Sequence, residues 1–527
     1  MSWQVSGRPG QRLRPRRDGR ASRIPWATLR WRGSLGVLWL LLGRQPLAEL
    51  PSVEHIYPAG FAIGATQAMT VGGKLEPWPA KVWTDCPGVC FAAETNKNQF
   101  RLEVAADAPA GAHLIRFYNE DGASSPRIFV LSSGRQINEA EPNNDIAEAR
   151  PVGELPLTVN GRFDRPGDVD SFTVSLAAGE WLDARLDAYT LASKVDPLLR
   201  LVSLEGVQLA WNHDFATLDP RLIWQAPADT ECIVQVMGFK YPATAEVSFA
   251  GGDGCVYRLH LSRCAGRPDL FAGGDPEDEP NNGATNATAL ILPAVVRGAI
   301  DPANDRDCFA FSARKDEQIE ALVEAASLGS KLDAWLSLTD DRGKELARSD
   351  DLQPLRNPRL DWKAPGNGTY HLVVGNVMHA GGPEYGYHLR VRRVPPGYHA
   401  LTAVNSLTLA PGETNELKIA VARLGGFDHA LTVALQGVPP GVHAPEVTIA
   451  ANSGEGTLRI VADPEAPLSQ GPMQVVVRDA LSGEEHAALC KLTSASEDNG
   501  VPGGYAALLV EATDQIWLTV KATAAAK

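Results

Sequence analysis

The sequence predicts an all-β protein: about four antiparallel β-sandwich domains in tandem after an N-terminal signal segment. Three observations predict it. Apolar and polar residues alternate with period two in many short segments, as in Phe172, Val174 and Leu176 against Thr173 and Ser175. Gly and Pro, 49 and 38 of 527 residues, recur between those segments as turn formers. A set of motifs near 139–261 also returns in the same order near 277–391, so one sandwich-sized unit occurs twice.

The first element is residues 1–48, which hold ten Arg, no Lys and one acid, Asp18. They end in an uncharged apolar run, Gly33 to Gly43, too short for a bilayer span of about 20 residues and long enough for an export signal. Ala48-Glu49 is the expected cleavage bond, with Pro46 a departure from the small-x-small rule. No later run approaches that length, so the mature chain is expected to carry no transmembrane span and to be secreted, periplasmic or on the cell surface.

The net charge is −14 overall and +9 over residues 1–48, which leaves −23 on the rest. A body this acidic repels phosphate backbones, so nucleic acid is excluded as a partner. It suits divalent cations. Hydrophobic residues at 44% are enough to fill cores and exclude a disordered chain.

Residues 51–134 carry turn motifs such as Tyr57-Pro-Ala-Gly60, Gly72-Gly73 and Asp121-Gly122 between short alternating runs, and are expected to form the first sandwich. The repeat follows, as residues 135–265 and 266–394. Glu139-Ala-Glu-Pro-Asn-Asn144 recurs as Glu277-Asp-Glu-Pro-Asn-Asn282, and Gly167-Asp-Val-Asp-Ser-Phe172 as Asn304-Asp-Arg-Asp-Cys-Phe309. Pro220-Arg-Leu-Ile-Trp-Gln-Ala-Pro227 recurs as Pro358-Arg-Leu-Asp-Trp-Lys-Ala-Pro365, and Tyr257-Arg-Leu-His-Leu261 as Tyr387-His-Leu-Arg-Val391. Gln318 to Ala326 has helical composition, but Ile319, Ala321, Val323 and Ala325 alternate, and a strand is expected there. Residues 395–527 alternate at Leu417/Ile419/Val421 and Leu431/Val433/Leu435, with a polar loop near 494–504 and a closing strand from Ile516 to Val520.

The two copies resemble the bacterial pre-peptidase C-terminal domain, through Glu-x-Glu-Pro-Asn-Asn, then Asp-x-Asp before a Phe strand. Residues 51–134 resemble a TIG-type immunoglobulin-like domain, and 395–524 the immunoglobulin-like domains appended to secreted bacterial proteins. The resemblance implies a bacterial extracellular module that accompanies peptidases without being one.

Calcium takes six to eight oxygens, mostly carboxylate with some amide. Glu139, Glu141, Asn143 and Asn144 lie on an extended segment stiffened by Pro142, and Asp168 and Asp170 sit in a turn able to meet them. The second copy offers Glu277, Glu279, Asn281, Asn282, Asp305 and Asp307. The resemblance implies the same positions, since linker and turn acids of that family bind structural calcium. The competing reading makes Pro-Asn-Asn a turn and Asp-x-Asp a strand cap. Asp196, Asp214, Asp333 and Asp351 are read as turn-shaping acids, and Trp224 and Trp362 as core.

Seven Cys in an export-type chain raise the expectation of pairing between Cys86 and Cys90 and between two of Cys232, Cys255 and Cys264. No Gly-x-Ser-x-Gly, His-Glu-x-x-His, phosphate loop or dinucleotide fingerprint occurs. His371, His379 and His388 lie close in sequence without a Cys or Glu motif. Two functions remain. One is a secreted or cell-surface, non-catalytic scaffold that binds an extracellular protein or polysaccharide. The other is a secreted hydrolase, a peptidase, or its non-catalytic subunit.

Overall fold

The computed structural model describes residues 50–241, 247–350, 357–493 and 509–522. The expected export segment 1–48, Asp351 and the expected loop near 494–504 lie outside the described residues. Among those described, regular structure is strand, broken by three short 3-10 turns at Ile146–Glu148, Tyr189–Leu191 and Ala326–Leu328. No helix is long and apolar enough to cross a membrane.

The strands form eight sheets. Ser52–Tyr57, Thr66–Lys74, Gln99–Val104 and Val89–Ala93 make one sheet of the first segment, facing a sheet built around Gly111–Asn119 and Arg127–Ser132. In the first repeat one sheet runs in the order Gln136–Asn138, Leu157–Arg162, Val256–Cys264, Trp181–Asp187, Arg221–Gln225. Its opposite sheet runs Arg150–Pro151, Asp170–Leu176, Thr230–Lys240, Val195–Ser203, Gln208–Asn212. The second repeat has the same two strand orders, with Gly386–Arg393 and Gly368–Asn376 in the middle places. Two further mixed sheets are built from the strands between Gly397 and Thr493 together with Leu509–Thr513 and Ile516–Val520.

Alternation explains what each sheet buries. Phe172, Val174 and Leu176 enter the core shared with Leu199, Val234 and Leu259, and Phe309 and Phe311 enter that of Leu336, Leu372 and Leu389. Gln318–Glu324 is a strand burying Ile319, Ala321 and Val323, so period outweighs helical composition. Trp224 and Trp362 pack against the two cores. The repeats are not wholly antiparallel: Gln136–Asn138 pairs in parallel with Leu157–Arg162, and Arg150–Pro151 with Asp170–Leu176. These short first strands come from the long acidic segment, which runs along one sandwich edge before the chain turns in.

The expected disulfides are corrected, for all seven cysteines are free. Cys86 is buried in the connection before the Val89–Ala93 strand, while Cys90 on that strand is exposed. Cys232 lies in one sheet of the first repeat and Cys264 in the other, and the buried Cys255 thiol faces the Lys194 carbonyl at 3.9 Å. Burial pushes the Cys232 thiol up to about 11, which keeps it protonated.

Two buried guanidiniums tie segments together. Arg258 of the first repeat donates to Asn160 Oδ1 at 3.1 Å and to Ser132 Oγ and Gln136 Oε1 at 3.3 Å. Arg116 donates to the carbonyls of Ser124 and Asn405, each at 2.9 Å, joining the first segment to the last. Trp517 packs there against Trp83 and Tyr118, with ring centroids 6.0 and 4.9 Å apart.

Candidate metal centre

Each repeat opens on its Glu-x-Glu-Pro-Asn-Asn segment, and backbone hydrogen bonds hold it against two strands. Glu139 N donates to Asn160 O and Ser171 N to Asn143 O, both at 2.9 Å. In the second repeat Glu277 N donates to Arg297 O at 3.0 Å and Cys308 N to Asn281 O at 2.9 Å. These bonds bring the segment's acids to the start of the strand that carries the Asp-x-Asp pair.

In the first repeat Glu139 Oε1 accepts the Arg162 N–H at 2.6 Å, and its Oε2 accepts the Tyr257 hydroxyl at 2.8 Å. The same hydroxyl lies 2.6 Å from Asp170 Oδ2. Glu141 Oε2 accepts Asn143 N–H at 3.0 Å and Asn144 Nδ2 at 2.9 Å. Asp168 Oδ2 accepts Asp164 N–H at 2.6 Å, while its Oδ1 is buried without a hydrogen-bond partner. Carboxylate oxygens of Glu141, Asp168 and Asp170 all lie within 4.8 Å of one another. The buried Asn143 amide turns one end to this group, 3.1 Å from Asp170 Oδ1 and 3.2–3.3 Å from the Glu141 oxygens. With Nδ2 there it donates to both acids. With Oδ1 there it joins an all-oxygen shell.

The second repeat gathers Glu277, Glu279 and Asp307 within 4.8 Å of one another. They correspond to Glu139, Glu141 and Asp170, and Asp305, the counterpart of Asp168, is not in the group. Glu277 Oε1 accepts Ala299 N–H at 2.7 Å, and the Tyr387 hydroxyl reaches Glu277 at 3.2 Å and Asp307 at 2.5 Å. Asp307 Oδ1 and Asn281 Oδ1 are buried and unpartnered. Asn144, Asn282 and Asp305 stand at the margin. Asn144 Oδ1 accepts from Arg165 at 2.9 Å, and Asp305 accepts the N–H groups of Asp301 and Arg306 and the Asn282 amide.

The electrostatics follow from burying like charges. Burial, then the neighbouring acid, raises Asp170 well above the usual carboxylate range and pushes Asp307 up to about 9. Burial pushes Glu139 up to about 7 and raises Glu277. A tyrosine hydroxyl has one hydrogen, so it cannot satisfy two ionised carboxylates at once. A proton or a cation must share the space. The donor set is oxygen only, rich in carboxylate and irregular, with Asp168 Oδ1, Asp307 Oδ1 and Asn281 Oδ1 lacking hydrogen-bond partners and Arg165 Nε 3.9 Å from Asp168 Oδ1. That fits calcium; magnesium demands a small octahedron and zinc prefers nitrogen and sulfur.

Tyr257 and Tyr387, which close both groups, read from sequence as alternating core residues. Their recurrence at matching positions was the available signal, because a buried hydroxyl needs a partner. Beneath them lie Gly161 and Gly298. A Cβ on Gly161 would stand 2.3 Å from the Tyr257 hydroxyl oxygen and 2.5 Å from Glu139 Oε2, and one on Gly298 would stand 2.4 Å from Tyr387 and 2.7 Å from Glu277. Gly161→Ala and Gly298→Ala are therefore expected to displace the tyrosine and weaken calcium binding at least about tenfold at their own site, as calorimetric titration would read.

A third group, Asp196, His213 and Asp214, places His213 Nε2 3.2 Å from Asp196 and Nδ1 3.9 Å from Asp214. The hydrogen bond and charge of Asp196 raise the His213 imidazole above its ordinary value. His388 Nε2 lies 2.9 Å from the Phe271 carbonyl oxygen and is buried, as is His371.

One arrangement has the form of a catalytic relay. Asp187 Oδ2 lies 2.8 Å from His260 Nε2, and His260 Nδ1 lies 3.0 Å from Thr158 Oγ1. Burial pushes Asp187 up, but the His260 hydrogen bond and the charges of His260, Arg185 and Arg258 outweigh it and hold the carboxyl low. The N–H groups of the surrounding strands are engaged in ladders with neighbours on both sides. At the same register the second repeat has Val295, Arg390 and Glu324, with Arg390 Nε 2.5 Å from Glu324. The position holds a cross-strand charge pair in both repeats.

No protein-family model matches the chain. A probable subtilase-type serine protease of Deinococcus radiodurans is 30% identical over 118 residues, which cover 21% of this chain and 16% of that protein. The chain thus spans about a sixth of that curated relative's length. Among solved structures, the pre-peptidase C-terminal domain of a Bacillus anthracis collagenase aligns with 22% of this chain and 99% of its own, at 17% identity and a TM-score of 0.18. The M60 catalytic domain with two CBM51 domains of Clostridium perfringens ZmpB covers 65% of this chain and 46% of its own, at 9% identity and a TM-score of 0.15. At such scores the structural likenesses carry no functional argument.

Proposed function

We propose that the chain is an exported, non-catalytic binding protein whose two repeated sandwiches are each organised by a calcium ion. One observation carries the reading: at the entry of each repeat three carboxylates converge within 4.8 Å around a buried Asp, with a buried carboxylate oxygen left without a hydrogen-bond partner. Glu141, Asp168 and Asp170, with Glu139 and Asn143, would hold the first ion. Glu277, Glu279, Asp307 and Asn281 would hold the second. The ion would fix the incoming acidic segment to the sandwich edge and so set the orientation of what precedes it. Export is supported by the Gly33–Gly43 run and the acidic body. The partial match to a serine protease favours a second reading, in which the chain serves a peptidase as a substrate-binding part.

Calorimetric titration of the chain with calcium chloride tests the proposal. About two ions per chain, with magnesium far weaker, is the expected result. Absence of a binding isotherm at millimolar calcium would overturn the metal centres. Hydrolysis of casein by the chain, persisting through repurification, would overturn the non-catalytic reading.

A further inference from the structure

A cleft of about 700 Å³ runs between the two repeats. One wall is the open edge of the first sandwich, where Gln208–Asn212 and Arg221–Gln225 end their sheets. The other is formed by the connecting segment from Arg267 to Phe271 and by loops of the second repeat.

Trp211 stands on that edge, 58% exposed and lining the cleft. An indole offers about 150–250 Å² for burial, and this one lines a concave cleft rather than standing alone on a convex surface. The fold does not require it. At the same register the second repeat has Arg348, whose guanidinium lies 4.4 Å over the ring of Trp335 and covers it. The first repeat therefore presents an aromatic face at a register where the second has a guanidinium.

The cleft is preformed. Phe215 of the first repeat packs so tightly on Gly329 of the second that a Cβ there would meet the ring at 2.2 Å, and Gly329 has φ +72°. The connecting segment is fixed to the second repeat by Arg267–Glu384 at 2.9 Å, Asp269–Arg297 at 3.0 Å and the His388–Phe271 carbonyl contact at 2.9 Å. A ligand would find walls already in place, which lowers the ordering cost of binding.

The polar lining settles the ligand class. Arg221, Arg267 and Lys331 face Asp214, Asp269 and Glu384, three cations against three carboxylates. Most are already paired: Arg221 is bidentate on Asp183, and Arg267 and Lys331 both engage Glu384. An anionic chain gains no net attraction from such a lining, and an apolar one would desolvate charges. A neutral polyhydroxylated ligand suits both features. Its C–H face stacks on the negative face of the indole, and its hydroxyls donate to carboxylates and accept from guanidiniums.

We propose that this cleft binds a neutral oligosaccharide, with Trp211 as the platform for one sugar ring. This rests on the binding-protein reading above and is independent of the calcium centres. The test is affinity electrophoresis of the full chain in gels containing hydroxyethylcellulose, glycogen, laminarin, mannan or, separately, gelatin. Retardation by at least one of the four neutral polysaccharides is expected. It should weaken about thirtyfold in Trp211→Ala, whose melting temperature stays unchanged. Retardation equal in Trp211→Ala and the parent would overturn the cleft as the site and leave the binding reading standing. Retardation by gelatin alone, lost in Trp211→Ala, would overturn the sugar class in favour of a peptide. No retardation in any of the five gels would overturn the proposal and count against the binding reading itself.

Discussion

Adding calcium to the chain in place of EDTA is expected to raise its melting temperature by about 10 °C at saturation, and Asp170→Asn with Asp307→Asn should abolish the rise. A ligand that binds only the native state stabilises it by about 2.7 kcal/mol at a hundred times its dissociation constant. For a sandwich of this size each kcal/mol is worth about 4 °C. The amide variants separate ligation from packing. In Asp170→Asn the new amide oxygen would still accept the Tyr257 hydroxyl and its nitrogen could donate to Glu139, easing the repulsion that raises both acids. In EDTA the double variant should therefore melt at or above the parent. Loss of the calcium response without loss of calcium-free stability is the signature of a ligand. A flat response in the parent would reduce Glu-x-Glu-Pro-Asn-Asn and Asp-x-Asp to turn and cap chemistry.

The strands were legible from the sequence because period two is a direct consequence of the pleat. It located even Gln318–Glu324, where composition argued for helix. The acid groups were legible as residue types because the motif occurs twice, and chance seldom preserves six oxygen-bearing positions in two divergent copies. What closes each group was not. Tyr257 and Tyr387 occupy apolar places in an alternating strand, and nothing local shows that a hydroxyl 118 residues from Glu139 will meet it. The Arg116–Asn405 contact was invisible for the same reason, since its partners are 289 residues apart. The parallel first strands follow from where the acidic segment docks, a tertiary fact. The expected cysteine pairs failed because proximity in sequence says nothing about whether a thiol is buried or which sheet carries it.

Calcium affinity is expected to rise with pH between about 6 and 9, by about tenfold per unit while one proton is displaced. Burial and the neighbouring acid hold Asp307 up to about 9, and burial holds Glu139 up to about 7, both above their unfolded values near 4. A carboxyl raised on folding contributes stability that is full below its unfolded pKa and is lost as pH climbs through the folded one. In EDTA the chain should therefore lose stability from about pH 5 to pH 9, Asp307 contributing over the whole window and Glu139 adding to the slope below about pH 7. Calcium replaces the protons that these groups hold, so its stabilisation should be small at pH 6 and largest near pH 9. The melting temperature in saturating calcium should then be nearly level across the same window. Asp170→Asn with Asp307→Asn should flatten the EDTA curve above about pH 7, because Asp307 is gone while the buried Glu139 remains. Titrations at pH 6, 7, 8 and 9 in buffers of differing ionisation enthalpy would count the protons released for each ion bound. A pH-independent affinity with no proton release would mean that the acids are ionised before the ion arrives. The buried groups would then be balanced by something other than a shared proton.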